Sequence, residues 1–286
     1  MIKKVVNEMN FIEEKIPEVE FPTNKIPVAY PLNESFMYLD DYFVCDSKYN
    51  HWKEDNGKPI QGSSSSIIAR KTVVEKLLQA QKLLPDGYKF KVYDAYRPII
   101  VQQKLWDFYY EKEKEKNPDK NEKELEKLTA FWVSKPSYNV LAPSLHNTGG
   151  AIDLTIIDAN DKELNMGCEF DDFSDRAWTN HFEKYEKNDE VRKNRRLLYN
   201  IMLSVGFTNL PSEWWHYDYG DDKWAQFYHT APLYCGVLDA NVRNMISYKE
   251  KQKILEISEM QYDLIVQLVE IRDECDKLAK TVQVHN

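Results

Sequence analysis

Apolar side chains along this chain follow two different periods, one typical of amphipathic helices and one typical of strands. Residues 72–84 (TVVEKLLQAQKLL) have apolar positions at helical spacing and end at the turn sequence Pro85-Asp86-Gly87. Further helices are predicted at 99–110 and 191–205, and strands at 88–93, 151–157 and 214–219. Such a mixture predicts an α+β domain with a central, largely antiparallel sheet and helices packed around it.

Two segments of the main domain lack this periodicity. Residues 1–65 contain prolines 17, 22, 27 and 31 and a Gly-Ser run, which predict loops and short strands wrapping a core. The charged run 111–127 predicts a solvated surface connection. Within it, Asp119 with Glu122 three residues later resembles an N-terminal cap for a helix that continues to about Val133.

The last fifty residues differ in character, because they contain neither glycine nor proline. Their apolar positions alternate in spacings of four and three, which is typical of a coiled-coil seam: Leu264, Leu268, Ile271, Cys275, Leu278 and Val282. We therefore divide the chain into a main domain, 1–236, and a helical C-terminal extension, 237–286. The extension either packs back on the domain or forms a homo-oligomer.

Composition narrows the class of ligand. The formal net charge of -9 disfavours nucleic acid and anionic membranes, since both require a basic surface, so a small-molecule substrate is favoured. The four cysteines form no Cys-x-x-Cys pair, which argues against a thiolate zinc cluster and a disulfide scaffold. The N-terminal residues lack the apolar stretch of a signal peptide, and no run has the length of a membrane span. We expect a cytoplasmic protein.

Two histidine motifs carry the candidate chemistry. His146 lies in a Ser-x-His-x-x-Gly-x-Ala-x-Asp sequence that ends at Asp153, and His216 closes a Glu-x-x-His sequence that begins at Glu213. Two imidazoles and one carboxylate are a ligand set for catalytic zinc, which keeps a further position open. Glu213 would then activate water. The other histidines, His51, His181, His229 and His285, lie in no such context and are interpreted as structural.

The same three ligand types also form the facial triad of non-haem iron oxygenases. Those enzymes typically place the first histidine and the acid two residues apart, whereas His146 and Asp153 are seven apart. Glu213 has an obvious role only in hydrolysis. Zinc is therefore favoured over iron.

Arg97 is a further candidate because it lies in DAYRP (94–98), at a predicted junction between a strand and a helix. A guanidinium at that position would be able to stabilise the negative charge that develops on a tetrahedral intermediate. An arbitrary arginine more commonly pairs with a neighbouring carboxylate in a structural role.

Four segments together, DAYRP, SLHNTGGAIDLTI (144–156), MGCEFDDF (166–173) and EWWHYDYG (213–220), resemble the zinc D-alanyl-D-alanine dipeptidases, the VanX-type enzymes of vancomycin resistance. The resemblance extends from about residue 25 to 236. It implies that His146, Asp153 and His216 bind one zinc ion, that Glu213 is the catalytic base and that Arg97 stabilises the oxyanion. It further implies that Ser144 and Asp171 hold the free amino group of a D,D-dipeptide.

Three hypotheses follow from the sequence. The first is a dipeptidase that hydrolyses D-Ala-D-Ala, because an acid that pairs with the substrate ammonium group disfavours a longer chain. The second is a D,D-carboxypeptidase or related peptidoglycan peptidase with the same zinc apparatus. The third is a zinc-bearing binding module without catalysis, with the C-terminal extension as its working surface. Relatives that have lost catalysis have usually lost the catalytic base or a metal ligand. In this chain the three candidate ligands, the candidate base and Arg97 are all present.

Overall fold

A computed structural model describes residues 11–19, 34–52, 57–172 and 174–237. The predicted extension, apart from Val237, and His285 lie outside these ranges, so the proposed coiled-coil seam and its role in oligomerisation stay predictions. Among the described helices, none has the length and apolar character needed to cross a bilayer.

A five-stranded sheet forms the centre of the fold. Its strand order is β2-β4-β5-β7-β6, and a smaller sheet pairs β1 with β3. Neighbouring strands of the large sheet are antiparallel, except that β2 runs parallel to β4. The strands are β1 (Phe36–Tyr38), β2 (Val44–Cys45), β3 (Ile68–Arg70), β4 (Lys89–Asp94), β5 (Ala151–Ile157), β6 (Thr208–Asn209) and β7 (His216–Asp218).

Seven α-helices surround the sheet in the described part of the chain. They are α1 (Lys48–His51), α2 (Lys71–Lys82), α3 (Ile99–Lys116), α4 (Glu122–Trp132), α5 (His181–Lys184), α6 (Asp189–Ser204) and α7 (Asp222–Phe227). Short 3-10 turns occur at Leu39–Asp41, Leu145–Thr148 and Asp175–Ala177. The predicted α+β class with a largely antiparallel central sheet is confirmed.

The core lies between the sheet and helices α2 and α6. Alternate residues of β5, namely Ile152, Leu154 and Ile156, join the main apolar cluster as the alternation of the strand predicts. Asp153 faces the other side and is also buried, because the active-site elements cover that face. The central strand is therefore buried on both faces.

The charged run was predicted wrongly in two respects. Helix α3 does not end near residue 110 but continues to Lys116, so residues 111–116 of the supposed connection are helical. The cap of α4 is Asn121 rather than Asp119: its side chain accepts from the backbone N–H of Glu124, and the Glu124 carboxylate accepts from the backbone N–H of Asn121. Two acid-containing pairs with the same spacing were available, and the sequence did not distinguish them.

The strand predicted at 214–219 is shorter in the structure, because β7 contains only residues 216–218.

We expect Asn121→Ala to lower the free energy of unfolding by about 1 kcal/mol, since it removes a reciprocal cap. Asp119→Ala is the matched control and should change stability by less than about 0.5 kcal/mol. Chemical denaturation of both variants measures the difference. Equal effects would show that the cap at Asn121 does not stabilise α4.

Asp46, just after β2, holds that strand to β4 through charge. Its carboxylate pairs with Lys91 of β4 at 2.9 Å and with Lys48 of α1 at 2.9 Å. Burial raises the pKa of Asp46, but these two lysines outweigh burial and bring it down to about 2. Since the folded state favours the charged form, the interaction stabilises the fold above the ordinary pKa of aspartate and is lost as the pH falls through about 2.

We expect wild type to exceed Asp46→Asn in stability by about 1 to 2 kcal/mol near pH 7, and the difference to disappear between about pH 4 and pH 2. Denaturation measured across that pH range tests this. The control is Asp161→Asn, whose pair with Lys89 is exposed and should contribute little. A difference that stays constant with pH would contradict the proposed linkage.

Candidate metal centre and active site

The register of the central sheet brings three functional side chains into one row. Asp94 on β4 is the pairing partner of Asp153 on β5, and Asp153 is the pairing partner of His216 on β7. Residues directly opposite each other on adjacent strands project from the same face. A register shift between Val92 and Asp94 turns the end of β4 and directs Asp94 into this row.

His146 reaches the same place from the 3-10 turn that precedes β5. The turn ends at Gly149, whose φ of 75° lies in the left-handed region. A Cβ at Gly149 would lie 2.4 Å from the Phe36 ring, and one at Gly150 would lie 2.3 Å from the backbone oxygen of Tyr219. These glycines therefore permit the close packing that places His146 beside Asp153.

The two histidines and Asp153 form a compact cluster of ligand atoms. Nε2 of His146 lies 3.2 Å from Nδ1 of His216 and 3.3 Å from Oδ2 of Asp153. Nδ1 of His216 lies 3.0 Å from Oδ1 of Asp153. In the described part of the chain these three residues form the group of acids, histidines or cysteines, three or more in number, whose ligand atoms all lie within 4.8 Å of one another.

The remaining nitrogen of each imidazole has a fixed hydrogen-bond partner. Nδ1 of His146 donates to the carbonyl oxygen of Ala95 at 2.7 Å, and Nε2 of His216 donates to Oδ1 of Asp218 at 2.7 Å. Carbonyl and carboxylate oxygens only accept, so these bonds hold a proton on the outer nitrogen, and the inner nitrogen would offer its lone pair when a metal ion replaces its proton. Outer partners of this kind are characteristic of metal-binding histidines.

Asp153 completes a donor set suited to a divalent cation. Burial raises the pKa of Asp153, but the charges and hydrogen bonds of His146 and His216 outweigh burial and hold this pKa well below its usual range. The group is therefore a carboxylate at neutral pH. Two imidazole nitrogens and one carboxylate oxygen match the ligands that catalytic zinc prefers, and this chain has the residues to hold such an ion.

Glu213 lies next to this cluster. Its Oε2 is 3.8 Å from Nδ1 of His216, and 31% of its side-chain surface is exposed to solvent. Glu213 precedes β7, and its backbone N–H donates to the carbonyl of Leu210. Partial burial and the negative charge of Asp153 raise the pKa of Glu213, while both histidines oppose the rise.

Arg97 is buried beside the cluster and held on several sides. Its Nε donates to Asp94 at 2.8 Å, one terminal nitrogen donates to Gln102 at 2.9 Å and the other to the Tyr49 hydroxyl at 3.1 Å. The latter nitrogen also lies 3.7 Å from Oδ2 of Asp153. Arg97 therefore forms the ion pair with a neighbouring carboxylate that is common for structural arginines. Its guanidinium also lies next to the cluster of ligand atoms.

Gln102 connects Arg97 to the chain that follows α4. Its Oε1 accepts from Arg97, and its Nε2 donates to the carbonyl of Ser134 at 2.6 Å. The end of α4 lines the same cavity as Arg97, with Phe131 and Trp132 among its walls. Two hydrogen bonds through Gln102 thus connect the guanidinium of Arg97 to the backbone at Ser134, which lines the cavity.

Ser144 and Asp171 lie in the same cavity as the cluster. The Ser144 hydroxyl is buried and has no hydrogen-bond partner among the described residues. Asp171 has a φ of 58°, which is strained for a residue with a Cβ. Burial, with help from the charge of Asp153, raises the pKa of Asp171 to about 8. Both groups would gain from a cationic hydrogen-bond donor.

The active-site cavity has a volume of about 250 Å³, which suits a ligand of a few residues at most. It contains every predicted site residue: Arg97, Ser144, His146, Asp153, Asp171, Glu213 and His216.

Sequence reasoning missed several residues that organise the site. Asp218 has a detectable signal, because it is two residues from His216 on a strand and so shares its face. Asp94 lies three residues before Arg97 in a motif already singled out. Tyr49 belongs to α1, inside a segment predicted to be irregular, and no periodic pattern indicated it.

We expect Asp218→Asn to weaken metal binding about 10- to 100-fold, because the charge that orients His216 is lost while the volume is kept. Competition with a chelator measures the affinity. Asp222→Asn, in the first turn of α7, is the matched control and should bind metal as wild type does. Equal affinities for both variants would show that Asp218 does not tune the centre.

Comparison with known proteins identifies relatives of this chain. Residues 37–233 match the peptidase family described as D-ala-D-ala dipeptidase. A protein named D-alanyl-D-alanine dipeptidase from Synechocystis sp. is 33% identical, covering 60% of this chain and 77% of its own length. Its namesake from Enterococcus faecalis is 32% identical, covering 69% and 97%, and that from Escherichia coli is 33% identical, covering 57% and 71%.

A solved structure, VanYB in complex with D-Alanine-D-Alanine, aligns at a TM-score of 0.35 and 17% identity over 63% of this chain and 83% of its own. The family match extends over most of the chain, and the Enterococcus faecalis relative aligns over nearly its whole length. The chain therefore belongs to the D-ala-D-ala dipeptidase family of peptidases.

Proposed function

We propose that this protein is a zinc-dependent dipeptidase that hydrolyses D-Ala-D-Ala to free D-alanine. The observation that carries the proposal is the cluster of His146, Asp153 and His216 in the lining of a small cavity, with Glu213 beside it. A bound zinc ion would polarise the scissile carbonyl and lower the pKa of a water molecule toward about 7. The family of the chain supports a peptidase acting on this dipeptide.

Glu213 is proposed as the general base. Its carboxylate lies 3.8 Å from a nitrogen of His216 and is partly open to the cavity, so water can reach it. Its raised pKa makes it a better proton acceptor than an exposed glutamate. Glu213 would take a proton from the attacking water and pass it to the leaving amine.

Arg97 is proposed to stabilise the oxyanion. Its guanidinium is fixed by Asp94, Gln102 and Tyr49, so it needs no reorganisation when negative charge develops nearby. Preorganised donors of this kind are among the largest contributions to hydrolysis. The short distance to Asp153 places this charge at the edge of the cluster.

Ser144 and Asp171 are proposed to bind the ammonium group of the substrate. The unpaired hydroxyl accepts one N–H, and the carboxyl gains a cation that restores its charged form. A peptide extended at this end would bring an uncharged amide to Asp171 and leave the buried acid unpaired. The size of the cavity supports the same preference for a dipeptide.

The first experiment measures release of alanine from D-Ala-D-Ala by the zinc-loaded protein, with L-Ala-L-Ala, D-Ala-D-lactate and a muropeptide pentapeptide beside it. We expect cleavage of the D,D-dipeptide and little cleavage of the others. Preference for the pentapeptide would favour a D,D-carboxypeptidase instead. No cleavage of any substrate with zinc bound would favour the non-catalytic binding module.

We expect Glu213→Ala to lower kcat by at least about 10²- to 10⁴-fold, because the general base is lost, while the zinc content stays at one per chain. Glu190→Ala, an exposed change in α6, is the matched control and should leave both quantities as in wild type. Steady-state kinetics and elemental analysis provide the two readouts. Normal turnover in Glu213→Ala would refute the proposed base.

A further inference from the structure

The active-site cavity contains a second cationic side chain that the proposed mechanism does not use. Apart from the two histidines, the cations that line it in the described chain are Arg97 and Lys223. Lys223 is the second residue of α7 and is half-buried. Burial raises the pKa of its neighbour Asp222, and the positive charge of Lys223 opposes that rise, so the two side chains interact electrostatically.

A zwitterionic dipeptide needs a positive charge for its carboxylate. The cavity is lined by the carboxylate of Asp153, whose negative charge would repel a substrate carboxylate, and by two further acids, Asp171 and Glu213. Arg97 is assigned to the oxyanion in the proposed mechanism and lies beside Asp153. Among the described residues that line the cavity, Lys223 is the cation, other than the histidines, to which the proposed mechanism gives no role.

The positions of these residues along the strand order indicate how a bound dipeptide would be oriented across the sheet. Tyr49, whose hydroxyl contacts both Arg97 and Asp171, belongs to α1, which follows β2 at one edge. Lys223 belongs to α7, which packs against β6 at the other edge. The metal cluster lies between them, on and next to β5 and β7. An amino group at Asp171 and a scissile bond over the cluster direct the carboxylate toward β6.

We propose that Lys223 binds the C-terminal carboxylate of the substrate and makes the site selective for a free carboxylate one residue beyond the scissile bond. This inference rests on the proposed dipeptidase function and adds to it a specificity-determining residue. It requires D-Ala-D-Ala to bind more tightly than its C-terminal amide, in which the negative charge is absent.

Binding rather than turnover provides the test. Calorimetry measures the affinity of the zinc-loaded Glu213→Ala protein for D-Ala-D-Ala and for D-Ala-D-Ala amide, alone and combined with Lys223→Met. Methionine keeps an apolar stem of similar length. We expect Lys223→Met to weaken D-Ala-D-Ala about 10- to 100-fold, as for a lost charge-assisted hydrogen bond, and to change the affinity for the amide less than about twofold.

Lys162→Met, an exposed change in the loop after β5, is the matched control and should alter neither affinity. Equal losses for acid and amide in Lys223→Met would overturn the proposal, and so would unchanged binding of both or a failure of the dipeptide to bind. A further outcome is that Lys223→Met weakens binding of D-Ala-D-Ala selectively while the wild-type protein releases no alanine from this dipeptide. That result would support the carboxylate site at Lys223 and contradict the proposed hydrolysis.

Discussion

The alignment of charged side chains across three adjacent strands is the constraint on which the site depends. Asp94, Asp153 and His216 share a row, and His146 joins them from the turn before β5. Carboxylates buried this closely would repel each other without compensation. Arg97 and the two imidazoles provide that compensation. The sheet register therefore fixes both the geometry and the charge of the centre.

The part of the site carried by short motifs could be predicted from the sequence. The glycines after His146 and the alternation of β5 indicated which carboxylate would face the two histidines, and the structure brings these three together. Their roles as ligands, and those of Glu213 and Arg97, stay proposals. Three strands of the central sheet, β4, β5 and β7, could also be predicted from local pattern, whereas the two-residue strands β2 and β6 were not predicted.

Other features depend on contacts between segments that are distant in sequence, and local patterns could not indicate them. Tyr49 and Asp171 are separated by more than a hundred residues, yet their side chains meet. Lys223 lies in a six-residue helix whose importance comes only from packing at the edge of the sheet. The prediction of a cap at Asp119 failed for a different reason, because the sequence offers a second pair with the same spacing, Asn121 and Glu124, and local pattern does not distinguish the two.

The hydrogen bonds of Gln102 give the charged helical hairpin, α3 and α4, a role beyond covering the cavity. One side of this amide holds the guanidinium of Arg97, and the other holds the backbone at Ser134, directly after α4. The Trp132 indole also donates to the buried Glu113 of α3, so the two helices are tied together near this point. A displacement of the hairpin would thus pull on the guanidinium itself. Surface changes far from the metal centre would then reach the reaction through one amide side chain.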